Sequence, residues 1–322
     1  MKSDRSENPI ALVALGGHAF MERGQQGTIE AHEENASKIA AALMLLVERQ
    51  YNLVITHGNG PQVGNLLLQN EMSKNDVPSM PMDVLVAMTE GSLGYILQQA
   101  MLNQLRSRSI QRYVVTVVSQ VVVDPEDPAF QNPTKPIGPF LSKEEAQRRA
   151  RDLGWNVVDD SGRGWRRRVA SPTPVKIIQR HTIRDAAQQG HIVIAAGGGG
   201  IPIMKDKKTG EYKGVECVID KDLTSALLSN QIGADLFVIL TEVPQVYLHF
   251  KTPEQRPLGA LTLEMTHRFQ KEGHFPPGSM GPKVLAITNY LEGGGKRALI
   301  TDPGHLAEAL DGMAGTHFVG RI

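Results

Sequence analysis

The chain has 322 residues, with 34 Lys and Arg against 34 Asp and Glu, so its formal net charge is zero. A neutral total gives no long-range attraction to nucleic acid or anionic lipid, and 41% hydrophobic against 21% charged residues builds a real core and excludes a disordered chain. The lone cysteine, Cys217, excludes an internal disulfide, and no Cys/His spacing for zinc is present.

Apolar runs such as Ile10–Leu15 fall far short of the ~18 residues of a membrane-spanning helix. The opening MKSDRSENP carries Asp4 and Glu7 where a secretory signal would be basic, so a cytoplasmic protein is expected. In chain order, Ile10–Leu15 (IALVAL) predicts a buried strand ending at Gly16-Gly17. Residues 31–50 carry Ile39, Ala40, Leu43, Leu46 and Val47 at helical spacing. Residues 53–56 (LVIT) predict a strand ending at His57-Gly58-Asn59-Gly60-Pro61, followed by helices over 63–71 and 84–105. Residues 113–123 (YVVTVVSQVVV) are β-branched and predict one strand. Residues 191–196 predict a strand running into Gly197, Gly198, Gly199 and Gly200. A helix over 222–230, a strand over Leu236–Leu240, a helix over 282–292 and a strand over Arg297–Thr301 complete the series. Short strands alternating with helices predict an α/β fold with a largely parallel sheet.

Two stretches break this rhythm. Residues 124–174 hold a proline-rich segment, a charged helix and GRGWRRRVASPTP, which predict an inserted, protruding subdomain. Residues 205–216 predict a polar hairpin turning at Thr209-Gly210.

Glycines gather at the ends of three strands. Ligands bind beyond the carboxyl ends of parallel strands, and glycine there lets backbone N–H groups approach an anion. Three such loops predict an extended anionic ligand, such as a nucleotide with a second phosphorylated group. Neither GxGxxG nor a GxxxxGK[ST] phosphate loop is present. Three lysines sit beside these loops: Lys135 between two prolines, Lys221 between Asp220 and Asp222, and Lys283 on the first turn of a helix. A lysine at a helix start opposes the dipole unless an anion is near, which singles out Lys283. Asp220 and Asp222 fit helix capping equally well, leaving either to orient lysines. Arg166-Arg167-Arg168 reads as a solvated face or, in a subdomain acting as a lid, as a surface that meets phosphate or an acidic partner.

Together these segments resemble the carbamate kinases of the amino-acid-kinase family. The resemblance spans nearly the whole chain: Ala14-Leu15-Gly16-Gly17, HGNGPQVG from His57, DPAFQNPTKPIG from Asp127, Gly164 to Arg167 with Ser171-Pro172, GGGGIP from Gly197, VIDKDL from Val218 and GSMGPK from Gly278. It implies an open αβα sandwich with an N-terminal lobe over about 1–204 for the carbamoyl group, carrying the subdomain, and a C-terminal lobe over about 205–322 for the nucleotide. The implied reaction is carbamoyl phosphate + ADP ⇌ carbamate + ATP with Mg²⁺, in a homodimer with no metal-ligating residues of its own.

By this resemblance Lys221 and Lys283 stabilise the transferring phosphoryl group, Asp222 positions them, and Lys135 reaches in from the subdomain. Gly16, Gly17, His18, Gly58, Asn59, Gly60, Gly198 and Gly199 face the carbamoyl substrate and phosphate. Thr241, Val243, Val246, Tyr247 and Met280 line the nucleotide site. Position 18 departs from the family loop GGNA: His18 stands where asparagine is usual, and titrates near neutrality. Glu242 and Pro244 depart from an LTDVDxV-like run. Those departures leave open a catalytically weak or regulatory binding homologue, or a kinase of another small carboxylate.

Overall fold

The computed structural model describes residues 8–16, 19–21, 25, 27–160, 162 and 164–320. Its centre is an eight-stranded sheet in the order Ala260–Thr262, Thr316–Val319, Arg297–Thr301, Leu236–Leu240, Ile10–Leu15, Asn52–His57, Ile192–Ala195, Val114–Val117. The six strands from Arg297–Thr301 to Val114–Val117 run parallel. Thr316–Val319 turns antiparallel to them, and Ala260–Thr262 follows its direction. Among the described residues this bears out the largely parallel α/β reading.

The central strands are buried on both faces, which is why they read as unbroken apolar runs. Their period of two divides the core. Leu12, Ala14, Val54, Phe237 and Ile239 face one layer, with Ala226, Leu228, Ala286 and Ile287 from the helices Lys221–Ile232 and Met280–Glu292. Val13, Leu15, Ile55, Val238 and Leu240 face the other, with Leu43, Leu46, Leu93 and Leu97 from Ile29–Glu48 and Met82–Ser107. Leu12, Val13, Val238 and Phe237 are wholly enclosed.

One expected strand is two. The chain over 113–123 breaks at Val118-Ser119 into Val114–Val117, at the edge of the main sheet, and Gln120–Val123. The second half joins a separate four-stranded sheet, between Ile201–Lys205 and Pro174–Ile177. Ser119 makes the crossing. Its hydroxyl donates to Val117 O (2.7 Å) and accepts from Ala196 N (2.9 Å), and its carbonyl accepts from Ile201 N (2.8 Å). A run of β-branched residues carries no mark of a handover between sheets.

Between Val123 and Pro174 the chain leaves both sheets. It forms a three-stranded antiparallel sheet of Lys135–Leu141, Trp165–Val169 and Val157–Asp159, with the helix Lys143–Leu153. Ser142 caps that helix through Glu145 N, and Gly154 ends it in the left-handed region. The polar hairpin is also present. Ile201–Lys205 pairs antiparallel with Tyr212–Gly214, and Asp206 Oδ1 accepts from the amides of Lys208 and Thr209 in the turn.

Candidate active site

Four neighbouring parallel strands, Leu236–Leu240, Ile10–Leu15, Asn52–His57 and Ile192–Ala195, end along one edge of the sheet. Beyond them lie Thr241, Gly16, Gly58-Asn59-Gly60 and the four glycines that begin at Gly197. The four-glycine loop is squeezed between two neighbours. A Cβ on Gly198 would stand 2.1 Å from Asn59 Nδ2, and one on Gly199, at φ +96°, 2.4 Å from Ile219 O. No side chain fits at either position. Asn59 does not cap the helix Gly60–Ser73; its amide donates to Thr89 Oγ1 instead (2.8 Å). The start of that helix therefore keeps its backbone donors clear of a capping side chain, an arrangement suited to an anion.

The charged centre is built on the first turn of Lys221–Ile232. Asp220 is the cap: its Oδ1 accepts from Asp222 N (2.9 Å) and Leu223 N (3.3 Å). Asp222 is therefore free to orient lysines. Its Oδ1 accepts from Lys221 Nζ (2.5 Å) and its Oδ2 from Lys283 Nζ (3.3 Å). Burial alone would raise the pKa of Asp222, but the two ammonium groups outweigh it and hold the carboxyl below the usual range. Lys283 is shifted up by Asp222, while burial shifts Lys221 down against the pull of the same carboxylate. The anion that makes a lysine tolerable at the start of Met280–Glu292 is thus the Asp222 carboxylate.

Lys135 stands one residue away from this centre. Its Nζ donates to Ile219 O (3.1 Å) and Asp220 Oδ2 (3.2 Å), and it does not share Asp222. It is carried by the protruding subdomain, which is seated on Gly60–Ser73 at two points. Gly64 and Gly138 meet back to back, so close that a Cβ on Gly64 would fall 1.9 Å from Gly138 Cα. Further along, Glu71 Oε1 accepts from Trp155 Nε1 (2.8 Å) and pairs with Arg167 (3.5 Å), while Arg149 and Arg167 lie over the Trp155 ring.

The expected solvated arginine face is corrected by these contacts. Arg166 Nε donates to Gly138 O (2.9 Å) and pairs with Asp160, and Arg168 donates to Asn156 Oδ1. All three guanidinium groups thus meet polar partners, Arg166 and Arg168 within the subdomain and Arg167 at Glu71 of the helix Gly60–Ser73.

Of the residues expected at the nucleotide site, Thr241 donates its amide to Thr301 O (2.9 Å) and lies against Gly16. Val243 and Tyr247 are half-buried, and Tyr247 packs near Phe250, with ring centroids 5.8 Å apart. Val246 is fully enclosed and its amide donates to Thr316 Oγ1, so its side chain belongs to the core. Met280 opens the helix Met280–Glu292 beside Lys283. Gly17 and His18 lie outside the described residues. Among the described residues no cluster of three or more His, Cys, Asp and Glu side chains stands ready for a metal ion.

Residues 9–302 match the family model described as the amino acid kinase family. The chain is 47% identical over 311 residues to a carbamate kinase of Thermococcus kodakarensis, covering 96% of this chain and 98% of that one. It is 48% identical to a carbamate kinase of Pyrococcus furiosus, covering 95% and 97%. A carbamate kinase from Giardia lamblia bound to AMP-PNP superposes with a TM-score of 0.90 at 37% identity, over 98% of this chain and 99% of that one. This chain belongs to the amino acid kinase family, among its carbamate kinases. The αβα sandwich expected from the sequence is the fold of that family.

Three buried residues that support this amino acid kinase site escaped the sequence reading: Thr89, Glu90 and Ser119. Thr89 orients Asn59, and Glu90 Oε2 accepts the Ser119 amide (2.9 Å). A faint signal existed, since Thr89 and Glu90 interrupt the apolar inner face of their helix. His57, at the end of its strand, donates Nδ1–H to Gly58 O (3.0 Å), and burial pushes it down to about 4.

Because the fold favours the neutral His57 ring, its contribution to stability is full above the unfolded value of about 6.5 and is lost as pH falls through about 4. Urea unfolding is expected to show roughly 3 kcal/mol lost across that window, with His57→Gln flattening the slope; an unchanged slope in the variant would contradict the assignment. Gly64→Ala is expected to push the strand carrying Lys135 off its helix. Limited proteolysis should then cut within 135–169 faster than in the parent, and equal rates would show that the glycine contact does not seat the subdomain.

Proposed function

We propose that this chain is a carbamate kinase, catalysing reversible phosphoryl transfer between carbamoyl phosphate and ADP to give carbamate and ATP. The observation that carries the reading is a single buried carboxylate, Asp222, bracing Lys221 and Lys283 beside three glycine-rich strand ends. Both substrates are anions, and their approach is opposed unless fixed positive charge meets the phosphoryl oxygens as charge redistributes. In the transfer, the bond from phosphorus to the carbamoyl oxygen breaks and a bond to the terminal oxygen of ADP forms. Carbamoyl phosphate is already an activated mixed anhydride, so no protein nucleophile is required.

In this proposal Lys221 and Lys283 flank the phosphoryl group in flight and Asp222 holds them in place. Lys135 leaves Asp220 and the Ile219 carbonyl to reach the phosphate. Gly58, Gly60 and Gly198 offer backbone donors to carbamoyl phosphate and Asn59 the second hydrogen of its amide, while Gly16 and Gly199, whose amides already donate to Leu240 O and Ala196 O, line the site without a side chain. Gly17 and His18 follow Gly16 in the sequence and are assigned to the same substrate. Thr241, Val243, Tyr247 and Met280, with the backbone of Val246, receive the nucleotide. The nucleotide lobe corresponds to about 205–322 and the carbamoyl lobe to the rest. Mg²⁺ would neutralise charge between the phosphates. Asp220 and Asp222 are already engaged by lysines, so the ion would arrive on the nucleotide rather than in a protein cage.

We also propose a homodimer in the cytoplasm. Supporting the dimer, Val84, Met88, Tyr95 and Leu102 form an exposed apolar stripe along Met82–Ser107. It lies on the helix whose neighbouring edge strand is flanked by exposed Tyr113 and Val118. No helix among the described residues is long and apolar enough to cross a membrane.

Purified protein given carbamoyl phosphate and MgADP is expected to form ATP in a coupled assay. Lys283→Ala should lower kcat by about 10²–10³-fold, whereas Lys135→Ala should act chiefly on KM for carbamoyl phosphate. Turnover in the parent no higher than in Lys283→Ala would overturn the proposal. Sedimentation should give twice the chain mass, shifting to one chain mass for Tyr95→Glu; a monomeric parent would refute the dimer.

A further inference from the structure

Glu90 is a carboxyl group in the middle of a buried helix face, 2% exposed, and among the described residues no lysine or arginine pairs with it. Its Oε2 accepts the amide of Ser119 (2.9 Å). Ser119 in turn holds both flanks of the four-glycine loop: its hydroxyl takes Ala196 N (2.9 Å) and its carbonyl takes Ile201 N (2.8 Å). The loop also rests on Glu90 directly. A Cβ on Gly197 would lie 3.2 Å from Glu90 Cγ and 2.5 Å from His57 Nε2. Next to Glu90, Thr89 fixes the amide of Asn59, which touches Gly198. One turn of one helix therefore sets the register of two substrate loops.

We propose that Glu90 is a positioning residue of the phosphoryl-transfer site, acting through Ser119 and Gly197 to hold the glycine loop for an anionic substrate. This rests on the carbamate kinase reading given above.

The carboxyl serves this purpose as a neutral group. Burial pushes Glu90 up to about 8, against the pull of the Ser119 and Gly197 amides. Its Oε1 is buried and, among the described residues, makes no well-formed hydrogen bond. The ring facing it across Gly197 is that of His57, neutral at working pH, which itself feels the charge of Lys221. On its own helix, Asp83 lies two turns back and Tyr95 points to solvent. From Ser119 and the glycine loop only backbone and hydroxyl groups face it. Ionisation would place an unpaired negative charge directly behind the loop that receives carbamoyl phosphate, and repulsion would weaken its binding.

The test compares the full chain with Glu90→Gln and Glu90→Ala. Glu90→Ala is expected to raise KM for carbamoyl phosphate about tenfold or more while kcat changes less, and to speed amide hydrogen exchange over 196–201 in the substrate-free protein. KM in the parent is expected to climb above pH 8. Glu90→Gln should restore the neutral-pH KM and remove that climb, which a purely structural carboxyl would not do. Parent-like KM and exchange in Glu90→Ala, or the same alkaline climb in Glu90→Gln, would overturn the proposal. If Glu90→Ala does not fold, the pH profiles of the parent and Glu90→Gln decide it. If the parent shows no turnover, the kinase reading fails by itself, and exchange over 196–201 then decides whether Glu90 holds the loop.

Discussion

Two lysines cannot share a buried site without an anion between them. Asp222 supplies that anion, with one oxygen for Lys221 and the other for Lys283. Removing it would leave two enclosed cations uncompensated, at a cost of about 3–5 kcal/mol for breaking a buried pair from one side. The arrangement gains its accuracy from the backbone. Asp222 sits on the first turn of a helix whose entry is locked by Asp220, and Lys283 comes from the first turn of a second helix packed alongside. Charges fixed on helix starts need little reorganisation when a phosphoryl group enters, and that preorganisation is where electrostatic catalysis draws its strength.

The glycine loops answer the complementary problem of bringing an anion close to main-chain donors. Space at the strand ends is so limited that Gly198 and Gly199 are hemmed by Asn59 and by the Ile219 carbonyl. The same Ile219 carbonyl takes a hydrogen bond from Lys135. Loop packing and the resting place of the subdomain lysine thus meet on one peptide unit, immediately before the residue that caps the helix Lys221–Ile232.

Much of this was legible because the physics is local. Strands buried on both faces must be continuous apolar runs, so Ile10–Leu15 and Leu236–Leu240 could be delimited directly. Glycine at strand ends and lysine at a helix start are local conflicts that only a ligand or a counter-charge resolves. What remained hidden depends on distant partners. The break at Ser119 is made by hydrogen bonds to Glu90, Ala196 and Ile201. The choice between Asp220 and Asp222 as cap rests on which carboxylate Lys283 reaches, sixty-one residues away in the chain. The arginine run reads as surface because Trp155 and Asn156 meet it only in the folded subdomain, and Glu71 only where that subdomain seats on the helix Gly60–Ser73.

The helix Met82–Ser107 has two working faces. Inward it presents Thr89 and Glu90 to the loops, and outward it shows Val84, Met88, Tyr95 and Leu102 to solvent. A rod of twenty-six residues has few ways to yield at one face without moving the other. If a second copy covers the outer stripe, association and anion binding are thermodynamically linked through that rod. Linkage is reciprocal: whatever free energy pairing lends to the loops, a bound substrate must return to the pairing. The outer surface of one helix would then be a place where the protein's concentration is read out as substrate affinity.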